Sequence, residues 1–473
     1  MRSNDQNIFD LSWLKVGLWA TAFSFVLFYL ILAYNNRIAS DDLYFVTNLS
    51  NDGFFGSILH FKYNQRLTSH LLYNLIYVCN TDLKSLHWQL FFFHIASITG
   101  FLLSVKYLMR NCFKVLLNFP VSKGDTLLLS ALFTGAIFFF TFQLNEVWFW
   151  SIASVIHLIP LIFIFFGIGL ILEKKAKLSS FVLIFMSFLF VGGASEIIAL
   201  SVIVLLSVSV FTFAISKSIS KSYIKMIPHL ITALMATTFL FLFNILSGNS
   251  TNRITFESMQ NDSSYIYSLP DFLGSFIQIK NLVFLLFLFL FFILGNQFYK
   301  KGLQLKGYFN RKTVILVILS LSLITLATFV PLYYVFDSLG PQRAWTPFGT
   351  GIVTFLIVFS FYLGNRKNIK QTNVLYFIAP MLVTAAILFY VFRQTPIVFE
   401  YSRAYDQRTE SLLELNRNGQ KDPVGVAPLP SSGMLINSRL ETSLDGWHNE
   451  MLRMALDLNF SVYALPQKEN TTD

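Results

Sequence analysis

The chain has 473 residues, 55% of them hydrophobic and 13% charged, with 53 phenylalanines and a formal net charge of +10. Soluble domains carry about 25% charged residues; no aqueous core hides this much apolar surface, so the composition excludes a soluble protein and predicts an integral membrane one. Nucleic acid is not implied by the basic balance, because in a membrane protein the placement of positive charge matters more than its sum.

The first apolar run covers residues 12–34. It exceeds the apolar segment of a signal peptide and lacks a small-residue cleavage pattern after it, so it reads as a retained span. At about 20 residues per crossing, further spans are predicted over 86–108, 126–143, 153–172, 179–193, 197–216, 226–247, 281–299, 313–335, 347–364 and 373–392. The run 179–193 is short, which leaves a count of ten open beside eleven. Residues 1–393 thus form an all-α polytopic membrane domain of about 11 transmembrane helices.

Every second connection is basic. Lys106, Arg110, Lys114 and Lys123 stand in the first, Lys174, Lys175 and Lys177 in the next, and Lys217, Lys221 and Lys225 in the third. Lys300, Lys301, Lys306, Arg311 and Lys312 follow, then Arg366, Lys367 and Lys370. Only Asp125 and Glu173 are acidic there. This alternation predicts a multi-pass protein of the cell (inner) membrane, with its amino terminus cytoplasmic and its carboxyl terminus extracytoplasmic. Cys79 and Cys112 then lie on opposite sides and cannot form a disulfide.

The other connections gather Asp41, Asp42, Arg66, Glu146, Glu196, Arg253, Glu257, Asp262, Asp337 and Arg343 on the outer side. In the long first outer loop, 35–85, "ASDDLYF" places two adjacent carboxylates beside an aromatic pair. Asp41 and Asp42 are either a solvated helix end or a general base at the membrane face, where an ionised carboxylate accepts the proton of an attacking hydroxyl. A divalent cation is another use for the pair, although no spaced D-x-D or acid–histidine cluster accompanies it. "RLTSHLLYNLIYV" (66–78) puts leucines on one stripe and Arg66, Ser69, His70 and Asn74 on the other, the pattern of a helix lying in the interface. The second long outer loop, about 248–280, is polar and reads as a flexible lid.

"FQLNEVWFWS" sets Glu146 before Trp148 and Trp150 at a span end. "GGASE" puts Glu196 in a tight turn, and "GPQRAW" carries Arg343 as its one cation. An arginine fork suits phosphate oxygens, so Arg343 and Arg66 are candidate phosphate ligands. Glu146, Glu196, His70 and Trp148 are candidate acceptor or substrate contacts. His87 and His94 share a face without an acid partner and read as packing residues. After Arg393 a charged helix ending at Gly419, a proline-rich link and short apolar runs predict a small α/β extracytoplasmic tail over 394–473.

The arrangement resembles the GT-C superfamily of membrane glycosyltransferases. Those enzymes carry an acidic motif in a long first outer loop, then interfacial helices, and many have a soluble outer tail. "SDDLYF", "NQRLTSH", "NEVWFW", "GGASE", "GPQRAW" and "GWHNEMLRMAL" also resemble a bacterial group of GT-C-like polytopic proteins along nearly the full chain. Serotype-converting glucosyltransferases of phage origin are a looser match. Gln65 departs from the group's glycine before the arginine. The resemblance implies an inverting glycosyltransferase using a polyprenyl-phosphate-linked sugar and a glycan or lipid-linked acceptor, with Asp41 and Asp42 as the acidic motif and 66–78 as the interfacial helix. The alternatives are a transporter or flippase of a lipid-linked or small polar substrate, and a structural partner in an envelope complex. Spans nearly free of mid-membrane charge argue against transport.

Overall fold

The computed structural model describes residues 9, 12–59, 66–78, 83–175, 177–215, 224–246, 270, 274, 278–305, 311–366 and 372–466. The side chain of Asp41, the whole of Cys79 and nearly all of the predicted lid at 248–280 lie outside the described residues.

The protein is a multi-pass membrane protein built almost entirely of helices. Among the described residues ten helices are long and apolar enough to cross a membrane. They are α1 (Ser12–Asn35), α4 (Leu83–Asn111), α5 (Lys123–Phe140), α6 with α7 (Ser151–His157 and Ile159–Glu173), α9 (Glu196–Ile215), α10 (Ile227–Leu246), α11 (Ile279–Lys300), α12 (Arg311–Phe336), α13 (Thr346–Asn365) and α14 (Thr372–Arg417). The shorter α8 (Leu178–Ala194) runs beside α10. His229 near the start of α10 meets the Lys175 carbonyl at 3.1 Å, and Asn244 near its end meets the Gly192 carbonyl at 3.5 Å. Seventeen residues at 1.5 Å each give α8 a length of about 25 Å.

Aromatic rings fill the centre of the bundle. Phe28, Phe138, Phe139 and Phe149 are almost fully buried and meet one another and Tyr29 edge to face or stacked. Where bulk is absent, backbones touch. A Cβ on Gly295 would fall 1.9 Å from the Phe361 carbonyl oxygen, and one on Gly364 would fall 1.8 Å from that of Phe292. Glycine at both places lets α11 and α13 pack in direct contact, the close approach that holds membrane helices together. On the outside of the bundle α12 leaves Ile315, Ile318, Leu326 and Val330 exposed, the apolar face that lipid covers.

Two helices lie between α1 and α4: α2 (Ser40–Leu59) and α3 (Leu67–Tyr77). Helix α3 is polar inward and apolar outward. Leu67, Leu71, Leu75 and Val78 are exposed, while Ser69, His70, Tyr73 and Asn74 are buried. Its inner face is stitched to its neighbours: Thr68 donates to the Phe190 carbonyl, Ser69 to that of Ala194, Tyr73 to that of Ile152 and Asn74 to that of Phe54. This is the disposition of a helix whose leucine stripe rests in the membrane interface.

Helix α14 does not stop at residue 393. It runs unbroken to Arg417 and closes on Gly419 at φ +79°. The Gln420 amide donates to the Leu415 carbonyl and the Gly419 amide to that of Asn416, the paired bonds of a glycine-terminated helix. Beyond it Val424–Val426 (β1) pairs in parallel with Val462–Ala464 (β2), and α15 (Trp447–Ala455) packs against α2. Leu412, Leu452, Leu456 and Phe460 share one apolar core with Ile38, Leu43 and Val46. The tail is therefore seated on the first loop.

Candidate functional site

The site is built around α6, the seven residues Ser151–His157 that begin the fourth long span. Helix α6 packs against α2, α3, α8 and the turn that carries Arg343. Leu158 keeps helical dihedrals and its amide donates to the Ser154 carbonyl, while Pro160 has no N–H to offer the Ile156 carbonyl, so α6 and α7 follow one another in a single span.

Asp42 lies at the amino end of α2. It is 1% exposed, and one carboxylate oxygen accepts the Ala39 amide at 3.2 Å. Since the Leu43 amide donates to the Ala39 carbonyl, Ala39 is the N-cap and Asp42 the acid three residues on, reaching back as in a capping box. Its other oxygen accepts the Ser151 hydroxyl at 2.5 Å, and Ser151 meets the Tyr77 hydroxyl at 2.7 Å. Burial first, and then the Asp42 charge, pushes the Tyr77 phenol well above its ordinary value, so Tyr77 stays a neutral donor. Asp42 is thus neither solvated nor open. It joins the start of α2 to α6 and α3.

Arg343 is presented by a tight turn. Gly340 at φ +65° and Pro341 lead into a short 3₁₀ helix, Gln342–Trp345, whose Trp345 ring is fully buried and donates to the Leu339 carbonyl at 2.7 Å. Arg343 then pairs with Glu146 at 2.5 Å and lies over the Trp150 ring, 5.2 Å from its centroid. Gln143 braces both partners: its amide nitrogen donates to Glu146 and its oxygen accepts the Arg343 amide. Lys280 closes the carboxyl end of α5 by donating to the Thr141 and Phe142 carbonyls.

Arg66 and Glu196 form the second pair, with Nη2 to Oε2 at 3.0 Å and Nε to the same oxygen at 3.1 Å. Glu196 heads α9, where a carboxylate complements the helix dipole. The arginines and glutamates that read as separate ligands therefore face each other in pairs. The two pairs border one short helix, since α6 packs against α3, which follows Arg66, and against the turn that carries Arg343, and His157 stands at its end. His157 is 6% exposed, and its Nδ1 has no hydrogen-bond partner among the described residues.

Two predicted contacts are engaged in packing. Trp148 is 1% exposed, donates to Thr141 at 2.9 Å, and is wrapped by Tyr29, Phe101 and Phe138. His70 is buried beside Phe45 and Tyr73. His87 does more than pack, since its Nδ1 meets Arg37 at 3.2 Å. His94 meets Asn36 at 2.9 Å. Arg37 grips Asp406 with two bonds of 2.8 and 2.7 Å and so ties α14 to the loop after α1. Ser151, His157, Gln143, Lys280, Arg37 and Asp406 all went unremarked in the sequence. Small or single polar residues inside apolar runs give no local signal.

For a divalent cation the described residues offer no group of three His, Cys, Asp or Glu. Both Asp42 oxygens are already engaged. The described residues do not fit a resident metal.

Beside the site lies an apolar cavity of about 790 Å³ between α7, α9, α12 and α13. Leu161, Ile198 and Pro347 line one end, one turn or less from His157, Glu196 and Arg343. Tyr362 and Arg366 line the other, with the Arg366 guanidinium 5.6 Å from the Tyr362 ring centroid. The walls between are almost wholly apolar.

Comparison with known proteins returns no matching family model, no curated relative and no solved structure. The family resemblance rests on the motifs alone.

Proposed function

We propose that the protein is a polyprenyl-phosphate-dependent glycosyltransferase of the GT-C type, acting on the extracytoplasmic side of the cell membrane. One observation carries the reading: an apolar groove of about 790 Å³ is lined at one end by Leu161, Ile198 and Pro347, which follow His157, Glu196 and Arg343 in the chain by four residues or fewer, beside two Arg–Glu pairs. A groove within the 300–1,000 Å³ of ordinary ligand sites suits a prenyl chain, and the paired arginines, close in the chain to residues at one of its ends, suit the phosphate. In the transfer an acceptor hydroxyl attacks the anomeric carbon of the lipid-linked sugar. The bond from that carbon to the phosphate oxygen breaks, and the phosphate leaves with the electron pair. The hydroxyl proton passes to the Asp41 carboxylate, or to that of Asp42 once it releases the Ser151 hydroxyl, and one displacement inverts the anomeric centre. Arg343 and Arg66 offset charge growing on the departing phosphate. The acceptor is a cell-envelope glycan or a lipid-linked glycan.

The test is sugar transfer from a polyprenyl-phosphate donor by purified protein in lipid. Thr354→Trp, which fills the groove wall, should abolish transfer from a long-chain donor and spare a short-chain one. Equal transfer of both would remove the groove from the mechanism. Sidedness is tested by cysteines placed at residues 50, 304 and 430. An impermeant reagent should label the first and third in intact cells, and labelling at 304 instead inverts the topology. The second reading is transport of the lipid, for which Pro160, an interruption of the helical bonding within the fourth span, is the one supporting feature. That reading gains if vesicles move the lipid between leaflets without making a glycosidic bond.

A further inference from the structure

Seven residues of α6 separate two arginines that belong to different parts of the chain, and at its carboxyl end stands a histidine with an idle nitrogen. Buried polar atoms in native proteins nearly always have a partner, and an orphan calls for an explanation. His157 Nδ1 is enclosed and unpartnered among the described residues. A packing histidine normally spends one nitrogen on a carbonyl, as His229 does with both the Lys225 and Lys175 carbonyls at 3.1 Å. His157 ends α6, which packs against α3, the helix that follows Arg66, and against the turn that carries Arg343, and among the described residues no carboxylate is hydrogen-bonded to its ring. One helical turn further, Leu161 lines the mouth of the apolar groove.

We infer that His157 is a ligand of the lipid phosphate, donating from Nδ1 to a phosphate oxygen while the prenyl chain lies in the groove and the two arginines flank the headgroup. This rests on the reading of a prenyl-phosphate substrate and adds a residue to it. The chemistry selects phosphate over a sugar hydroxyl or a carboxylate. Guanidinium forks suit phosphate oxygens, and tetrahedral oxyanions accept several donors at once. Glu146 and Glu196 hold one edge of each guanidinium and fix its orientation. The pairs are close to neutral, so a further N–H donor strengthens the site without altering its charge. The imidazole is well suited to that role, since a neutral ring carries a proton on either nitrogen and the hydrogen bond selects which.

The experiment uses full-length protein in nanodiscs and three probes: farnesyl monophosphate, farnesol and inorganic phosphate. Wild type should bind farnesyl monophosphate more tightly than farnesol. His157→Leu should weaken the phosphate probe by roughly ten- to a hundredfold and leave farnesol unchanged, the effect of losing one hydrogen bond to a charged group. His157→Asn, whose amide N–H takes the position of Nδ1–H, should recover most of the loss. In wild type labelled with ¹⁵N-histidine, one imidazole resonance, absent from the Asn variant, should move when farnesyl monophosphate is added. The inference is overturned if His157→Leu binds the phosphate probe like wild type, or loses both prenyl probes alike, or if no imidazole resonance moves. If only these fail while Arg343→Lys still weakens the phosphate probe, the substrate reading survives. If wild type binds farnesyl monophosphate no better than farnesol, that reading fails as well. Should both variants fail to fold, the wild-type spectrum decides.

Discussion

The two ends of the helix bundle solve opposite problems. At the end that carries α2, α3 and α6, polar side chains from distant parts of the chain meet: Asp42 with Ser151, Arg343 with Glu146, Arg66 with Glu196, Arg37 with Asp406. At the other end the charges are mostly basic and stand in connections. Lys175 pairs with its neighbour Glu173, Lys300 lies over Tyr376, and Arg366 lies over Tyr362. Lysines in such places can stay hydrated and serve orientation in the membrane. Carboxylates and arginines half withdrawn from water must be compensated, and the first end does so by pairing across the fold, as Lys15 does for the buried Asp125 at the other, at 3.9 Å. The sign of the charges distinguishes the ends, and the mix of partners sharpens the difference.

This contrast can be broken by substitution, beginning where the effect is greatest. Glu146→Gln leaves Arg343 without its carboxylate, and both side chains are mostly withdrawn from solvent, at 22% and 13% exposure. Unfolding measured in detergent should show a loss of about 3 kcal/mol, the cost of stranding one member of a buried pair. A double change to Glu146→Gln with Arg343→Gln should cost less than the two single changes added. Next comes Asp42→Asn, which keeps size and weakens both the cap and the Ser151 bond. It should cost about 1–2 kcal/mol, and Ser151→Ala should lose less when Asp42 is already changed. If Asp42→Asn is silent in stability yet abolishes transfer, its role is chemical and the capping account is wrong. Glu196→Gln disturbs a pair that is 27% and 40% exposed, and solvent screening should hold its cost below about 1 kcal/mol. Arg366→Gln at the other end should stay within about 0.5 kcal/mol. An Arg366 variant as damaging as the Glu146 variant would erase the distinction between the ends.

Much of this architecture is legible in the sequence, because a span announces itself by length and apolar content. The helical stripe of 67–77 is legible too, including its polar residues, but not the reason for them. Ser69 and Tyr73 on that face are spent on carbonyls of α8 and α6, partners 125 and 79 positions away, and Asn74 on the Phe54 carbonyl of α2. Arg37 meets Asp406 across 369 positions, and nothing near either residue signals the other. The sequence reading gives each carboxylate and arginine its own ligand; the fold matches them with each other, since a half-buried charge takes the nearest countercharge. Trp148 looks interfacial beside Glu146, yet the π-helical turn Asn145–Phe149 swings its ring into the core. His157 is hidden for the opposite reason: in "VIHLIP" it is one polar residue in an apolar run, and only its buried Nδ1, without a partner among the described residues, gives it a position of interest.

Helix α14 has a mechanical consequence. Its 46 residues measure about 70 Å along the axis, more than twice the thickness of a bilayer's hydrocarbon core. The 24 residues after Arg393 make a mast of about 35 Å, stayed at Asp406 by the guanidinium of Arg37. A fluorophore at Gly419 would therefore ride at a fixed height, and distance measurements from there to a label on α2 should give a narrow distribution. Cutting the stay with Arg37→Gln should broaden it. The chain thereby carries its own measuring rod, one that sets how far from the bilayer a bulky partner can stand and still reach the end of the bundle where α2 and α6 meet.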